Sequence, residues 1–340
     1  ASDVGHTGAV VNAVVSYDLG DARLNEDVSH SLDLVEQRLT QAVKSDDEFV
    51  SIAARHLVDA GGKRFRPLLA VLAANLGDPA APGVTDAAVV VELTHLATLY
   101  HDDVMDEAPR RRGTDSANAR WDNTVAILTG DFLFARASDM LADLGTEAVR
   151  IQARTFERLV TGQIRETVGP KPNEDPVTHH LEVLADKTGS LIATSGQFGA
   201  MFAGCDEATV EIMTRYGERI GVAFQLADDL VDVASDGTAS GKTQGTDLRE
   251  GIQTLPALLA MRSEDPADAR LQDLLSRPLP DDAEHAEALA LLLAHPAMEE
   301  ARSVARTWAD DARSSISGLP LGPVRSALET LCDFVVTRTA

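Results

Sequence analysis

Cysteine is almost missing from the 340 residues, with Cys205 and Cys332 the only two. That is too few for a disulfide framework and has no metal-ligand spacing, which points to a reducing cytoplasm. No run of about 18 apolar residues occurs, so no membrane span is expected. The N-terminus has no basic segment followed by an apolar one, so no signal peptide is expected either. Cations are scarce: 30 Lys and Arg stand against 54 Asp and Glu, for a net charge of −24. A nucleic-acid partner would want a basic footprint, and a basic membrane-binding face is equally absent. Aromatics make up 4% of the chain, and none of Phe, Tyr or Trp occurs between Phe65 and Tyr100. Strand-like alternation is nearly absent, as are short-period repeats and a dividing linker.

What remains is 44% hydrophobic, enough for a substantial core. Apolar residues recur with the helical period over about 27–44, 47–59, 67–77, 86–108, 116–144, 146–167, 176–203, 207–235, 252–262, 284–294, 297–316 and 321–338. Gly and Pro separate these runs. The expected fold is all-α, a single large helical bundle around a central cavity over 26–340, with 1–25 as an N-terminal arm.

One helical run ends on His101-Asp102-Asp103-Val104-Met105-Asp106. Asp102 and Asp106 stand one turn apart on one face, with Asp103 about 100° around the axis. Carboxylates crowded at the end of an apolar helix repel one another unless a cation lies between them. Hard oxygen donors with room left for water and phosphate suit Mg²⁺. Far downstream the spacing recurs as Asp228-Asp229-Leu230-Val231-Asp232, again on an apolar helix. Other paired aspartates (Asp46-Asp47, Asp281-Asp282, Asp310-Asp311) sit in polar stretches and read as solvated turns.

Two clusters break the acidic balance. Gly61-Gly62-Lys63-Arg64-Phe65-Arg66-Pro67 is a Gly-rich turn carrying three cations to a helix N-terminus, where backbone N–H groups and side-chain charge can hold phosphate. Arg110-Arg111-Arg112-Gly113 stands at the mouth of the first acidic motif.

With both acidic motifs, the basic turn and Arg-Arg-Gly in this order, the chain resembles the trans-isoprenyl diphosphate synthases, or polyprenyl synthetases, from about Gly61 to Pro256. Lys187-Thr188, Phe224-Gln225, Gly241-Lys242 and Gly245-Thr246-Asp247-Leu248 extend the resemblance. It implies a homodimeric enzyme joining isopentenyl diphosphate to an allylic diphosphate such as a farnesyl or geranylgeranyl primer. It further implies that Asp102, Asp103, Asp106, Asp228, Asp229 and Asp232 bind a cluster of three Mg²⁺, with Asp102, Asp106 and Asp228 as direct ligands. Arg111, Lys187, Thr188, Gln225 and Lys242 would hold the allylic diphosphate; Lys63, Arg66, His95 and Arg112 would hold isopentenyl diphosphate. Two departures stand out. The chain has Gly162-Gln163-Ile164-Arg165-Glu166 where the family tends to show Gly-Glu-x-x-Gln, and Ile252 follows Gly251 where many members have lysine.

Chain length is read from the first-motif helix. Short-chain members block the tail route with an aromatic four or five residues before the first aspartate. Here those positions are Thr98 and Ala97, and Thr94 lies one turn further. Gly189, Ala193, Ser195, Gly196, Gly199 and Ala200 add small residues after Lys187. The expected product is therefore a long-chain polyprenyl diphosphate, and Phe at Ala97 should shorten it. A floor could come from Met201, Phe198, Phe132 or Phe134. The alternatives are a short-chain synthase making geranylgeranyl or farnesyl diphosphate, a terpene cyclase, and a non-catalytic partner subunit. A cyclase would not need Lys63, Arg66 and Arg112, and partner subunits tend to lose an acidic motif.

Overall fold

A computed structural model describes residues 18–234 and 244–337. Sixteen α-helices lie among the described residues, with one short hairpin. In chain order they are α1 (Ala22–Ala42), α2 (Glu48–Asp59), α3 (Phe65–Ala74), α4 (Val84–Met105), β1 (Arg110–Arg111), β2 (Thr114–Asp115), α5 (Ala117–Arg120), α6 (Asn123–Leu144), α7 (Thr146–Val168), α8 (Pro176–Leu184), α9 (Ser190–Phe202) and α10 (Glu207–Ala234). Beyond residue 243 follow α11 (Thr246–Glu250), α12 (Leu255–Met261), α13 (Ala269–Leu275), α14 (Asp282–Ala294), α15 (Ala297–Ser315) and α16 (Pro323–Thr337). The all-α expectation holds.

Helix α4 is the axis of the bundle. It buries Ala87, Val90, Leu93, Leu96, Ala97 and Tyr100 on several faces, as a helix surrounded by others must. It packs along α6 and against α3 and α9. Helix α10 is the shared wall: Tyr216, Ile220, Ala223 and Ala227 join the main core. Val222, Leu226, Leu230 and Val233 on the same helix join a second core built with α12, α13 and α15.

Local chemistry accounts for where the structure departs from the expected runs. The run 116–144 is two helices, because Asp122 accepts from the backbone N–H of Val125 at 2.7 Å and starts α6 afresh, as an N-cap does. The run 176–203 is interrupted at Ala185–Gly189 by one π-helical turn. The expected arm boundary at residue 25 falls inside α1, where Asp21 caps the helix and Leu19 and Leu24 are buried in the core; residues 1–17 of that arm lie outside the described residues.

Of the small residues after Lys187, Gly196 and Gly199 are taken up by close helix packing. A Cβ on Gly199 would collide with the carbonyl oxygen of Ala70, and one on Gly196 would stand 2.6 Å from that of Met213. Across the same seam, a Cβ on Gly217 would stand 2.6 Å from the carbonyl of Ile192. Backbone thus meets backbone between α9 and both α3 and α10. Gly199→Ala is expected to cost about 1–3 kcal/mol by overpacking, seen in calorimetry as a melting temperature lower by several degrees.

Candidate active site

A cavity of about 440 Å³ opens between the ends of α3, α4, α7, α9 and α10. Its walls carry Asp102 from the first acidic motif and Asp228 from the second. Lys63, Arg66, His95, Thr98, Arg111, Arg112, Lys187, Thr188 and Gln225 also line it. Leu99, Leu159, Leu191, Ile192 and Phe224 supply apolar wall. Lys242 lies outside the described residues.

In the first motif the three carboxylates do not crowd together as expected. Asp103, set about a quarter-turn from its neighbours, is fully buried and accepts from Arg111 Nε at 2.8 Å and Nη2 at 2.6 Å. Its other oxygen, Oδ2, is buried without a partner. Asp106 is exposed and closes α4 as its C-cap. Burial raises the Asp102 carboxyl above the ordinary range; Lys187 opposes the rise and Asp106 adds to it.

The second motif repeats this division. Asp228 faces the cavity and lies 3.6 Å from Lys63 Nζ, tying the basic turn to the acidic helix. Asp229 points inward, accepting from Gln225 Nε2 at 3.0 Å. Burial pushes its carboxyl up to about 8, with Asp247, Asp228 and Asp232 adding to the rise against the Gln225 hydrogen bond. Asp232 receives the next segment, its Oδ2 accepting from the N–H of Asp247 at 3.2 Å and its carbonyl from Gly245 at 2.8 Å. That docking brings Glu250 between the motifs: its carboxyl is raised by burial, then by Asp106 and by Asp232.

The cations converge by means of left-handed backbone. Arg112 (φ 53°) and Gly113 (φ 78°) form the two-residue turn between β1 and β2, the geometry a tight hairpin requires. The turn sends the Arg112 guanidinium inward to donate to the carbonyls of Leu57, at 3.0 Å, and Gly61. Gly62 is glycine for two reasons: its φ is 147°, and a Cβ there would stand 2.7 Å from Arg112 Cζ. Arg64 (φ 49°) turns away from the ligand role, donating to Glu36 and, at 3.1 Å, to buried Glu92. Arg66 keeps an unpartnered buried Nε, and burial pushes its pKa down to about 10. His95 is held neutral, well below the usual imidazole range, by burial and by Arg66, Arg112, Arg111 and Arg64.

Lys187 and Thr188 sit on the π-helical turn, a device that re-aims side chains at functional sites. Lys187 Nζ donates to Glu166 at 2.7 Å. Gln163, one turn back on α7, lines the cavity with Oε1 buried and unpartnered. The departure from the family pattern therefore still delivers an amide and a carboxylate to this wall. Ile252 is half exposed, its N–H donating to the carbonyl of Asp247 at 2.9 Å.

A second, inner cavity of about 230 Å³ lies further along α4, between it and α6 and α7, lined by Thr94, Phe134, Ala137, Gln152 and Phe156 among others and opening to solvent at Ser138, Val149 and Ala153. Thr98 and Thr94 thus mark successive turns along the route, about 6 Å apart on the helix axis. Ala97 is fully buried, outside the lining of both cavities. A Cβ on Gly130 of α6 would stand 3.1 Å from the Ala97 carbonyl. Of the candidate floor residues, Phe134 lines this inner cavity, whereas Phe198 is packed in the core.

Partly desolvated Asp102, its carboxyl raised further by Asp106, and Asp228 across the same cavity supply hard oxygen donors that fit a divalent cation such as Mg²⁺. Among the described residues no three His, Cys, Asp or Glu side chains form a ready-made cage, so phosphate oxygens and water would have to complete any coordination shell. Sequence reasoning missed Glu92 and Glu250. Glu92 sits inside an apolar run with no local sign of its partners. The glycines at 245 and 251, both with positive φ, were the available signal for the turn that presents Glu250.

The family model described as polyprenyl synthetase matches residues 47–292. Nonaprenyl diphosphate synthase of Mycobacterium tuberculosis is 51% identical over 96% of this chain and 97% of its own length. Among solved structures, geranylgeranyl pyrophosphate synthase from Corynebacterium glutamicum, complexed with calcium and isoprenyl diphosphate, superposes with a TM-score of 0.86 at 44% identity, covering 95% of this chain and 99% of that one. A decaprenyl diphosphate synthase from Rhodobacter capsulatus gives 0.85 at 32% identity, over 94% and 99%.

Proposed function

Because the chain belongs to the polyprenyl synthetase family, we propose that it condenses isopentenyl diphosphate with an allylic diphosphate to make a long-chain all-trans polyprenyl diphosphate. The observation that carries this reading is Asp102 and Asp228 facing one cavity that is otherwise rimmed by cations and walled by hydrocarbon.

The chemistry follows from charge and dryness. The allylic C–O bond breaks as pyrophosphate leaves, the isopentenyl double bond attacks the resulting allylic cation, and a proton is then lost to the departed pyrophosphate. Magnesium, three ions when fully loaded, supplies neutralisation of the leaving group's growing charge. Asp102, Asp106 and Asp228 would hold it, while buried Asp103 and Asp229 orient Arg111 and Gln225 behind them. Lys187 leaves Glu166 for the allylic diphosphate, joined by Thr188, Arg111, Gln225 and Lys242, and fixed cations lower the barrier without reorganising. Lys63, Arg66 and Arg112 bind isopentenyl diphosphate, with neutral His95 beside them. Leu99, Leu159, Leu191 and Ile192 keep water from quenching the cation.

Long-chain product is supported by the small Thr98 and by the inner cavity beyond it. We assign the enzyme to the cytoplasm: no helix among the described residues is long and apolar enough to cross a membrane, and Cys205 and Cys332 are free. A homodimer is supported by Ile127 and Leu128 on α6 and Val160, Ile164 and Val168 on α7, all exposed, the kind of patch that marks a subunit contact. Sedimentation should give twice the chain mass. The deciding assay supplies labelled isopentenyl diphosphate and farnesyl diphosphate with Mg²⁺. Products longer than geranylgeranyl diphosphate are expected, and loss of all turnover with EDTA. Absence of condensation would refute the reading, and a product stopping at geranylgeranyl would make it a short-chain synthase.

Arg66 offers a sharper check on the isopentenyl site. Arg66→Met should raise KM for isopentenyl diphosphate by about tenfold to a hundredfold, in line with the ~1.5–3 kcal/mol of a charged hydrogen bond, and leave KM for the allylic substrate little changed.

A further inference from the structure

One polar pair crosses the groove between α4 and α7 away from the diphosphate machinery. Gln152 Nε2 donates to Thr94 Oγ1 at 2.7 Å, and Thr94 Oγ1 donates to the carbonyl of Val90 at 2.9 Å. The other end of the amide, Gln152 Oε1, is buried with no partner, in a side chain only 8% exposed. Around it the inner cavity is apolar, with Phe134, Ala137, Leu141 and Phe156 on its walls. A neighbouring polar contact shows the contrast: Thr155 and Thr194 hydroxyls meet at 2.6 Å and also reach the carbonyls of Ile151 and Ser190, so every group there is satisfied. Packing alone would be served equally by leucine at 152, since an orphaned buried acceptor is a liability.

Position explains what the amide can do. Thr94 stands two turns before Asp102 on the same face, about 12 Å along the axis. Thr98 of the outer cavity lies between them. On α7 the order is the same, Leu159 and Gln163 in the outer cavity and Gln152 and Phe156 in the inner one. A hydrocarbon tail anchored at the acidic end and growing along α4 and α7 past the outer cavity would meet the Thr94–Gln152 bridge. We propose that Gln152 gates elongation: to grow past this depth the prenyl tail must part the Thr94–Gln152 hydrogen bond and lie against Oε1. The inference rests on the prenyl-elongation reading above. Each tail arriving at the gate divides between release and further addition, and the polar bridge favours release.

The test compares the full-length protein with Gln152→Leu, similar in size and without polar atoms, and Gln152→Glu, similar in size and more strongly hydrated. Each is given farnesyl diphosphate, excess labelled isopentenyl diphosphate and Mg²⁺, and products are sized chromatographically. Gln152→Leu should lengthen the mean product by at least one five-carbon unit and cut released short intermediates about tenfold, equivalent to about 1.4 kcal/mol. Gln152→Glu should shift the distribution the other way. In both, product length moves more than the single-turnover rate of the first condensation, which a purely structural role would not produce. If Gln152→Leu folds poorly, Gln152→Met carries the same expectation. Unchanged distributions, or shifts of one sign in both variants, overturn the gate while leaving the prenyltransferase reading intact. If wild-type protein elongates no primer at all, both fall together.

Discussion

Asp102→Ala and Asp228→Ala should each lower kcat by a hundredfold to a thousandfold or more, the order lost when one preorganised stabiliser of developing charge is removed. The folded state should tolerate the change. Burial raises the Asp102 carboxyl, so its ionised form is less favourable in the folded chain than in the unfolded one, and alanine should leave the metal-free melting temperature equal or higher. The linkage has a definite sign. A carboxyl raised in the fold binds its proton more readily there, so its contribution is present below the unfolded pKa and fades as pH rises through the folded one. For Asp229 that window runs from 3.8 to about 8. Metal-free protein should therefore melt progressively lower across it, and Mg²⁺ should flatten the slope. Near-normal turnover in either alanine variant would remove the two-motif site; a steep fall in metal-free stability would instead make that aspartate structural.

Thr98→Phe should truncate the product to farnesyl or geranylgeranyl diphosphate. Thr98 lines the outer cavity, and an aromatic ring there would stand across the route to Thr94 and the inner cavity. Ala97→Phe, the other substitution suggested by the residue spacing, should act differently. Ala97 is fully buried outside both cavity linings, and a ring placed there overpacks the core at a cost of about 1–3 kcal/mol. Chromatographic sizing and thermal melting separate the two outcomes. Equal product lengths from wild type and Thr98→Phe would close the case against a tail route past Thr98.

The helices were legible because their apolar residues recur with the helical period, and the acidic motifs because paired aspartates on apolar helices are chemically improbable without a purpose. The family resemblance, carried by the order of the motifs, singled out Lys63, Arg66, Arg112 and Lys187, all of which line the cavity. Orientation within a motif was harder. Whether Asp103 meets an ion or Arg111 depends on a hairpin whose left-handed Arg112 no pattern announces. The π-helical turn at Lys187 shifts the helical phase by about one residue between stretches that each keep the ordinary period, an offset easily lost in one continuous run. Small residues on α9 looked like open space, yet Gly196 and Gly199 are filled by the backbones of neighbouring helices. Composition reports how much room a side chain leaves, and packing decides what enters it.

That last contact makes the two sides of the molecule unequal as material for change. Where α9 touches α3 and α10 main chain to main chain, nothing can be shaved away to make space, and anything added forces whole helices apart. The opposite side, formed by α4, α6 and α7, has one such close approach, at Gly130 against the Ala97 carbonyl, and elsewhere presents side chains such as Thr94, Thr98, Phe134, Gln152 and Phe156. Divergence in product size, in nature or in the laboratory, should therefore accumulate on that softer side and leave the glycine seam untouched.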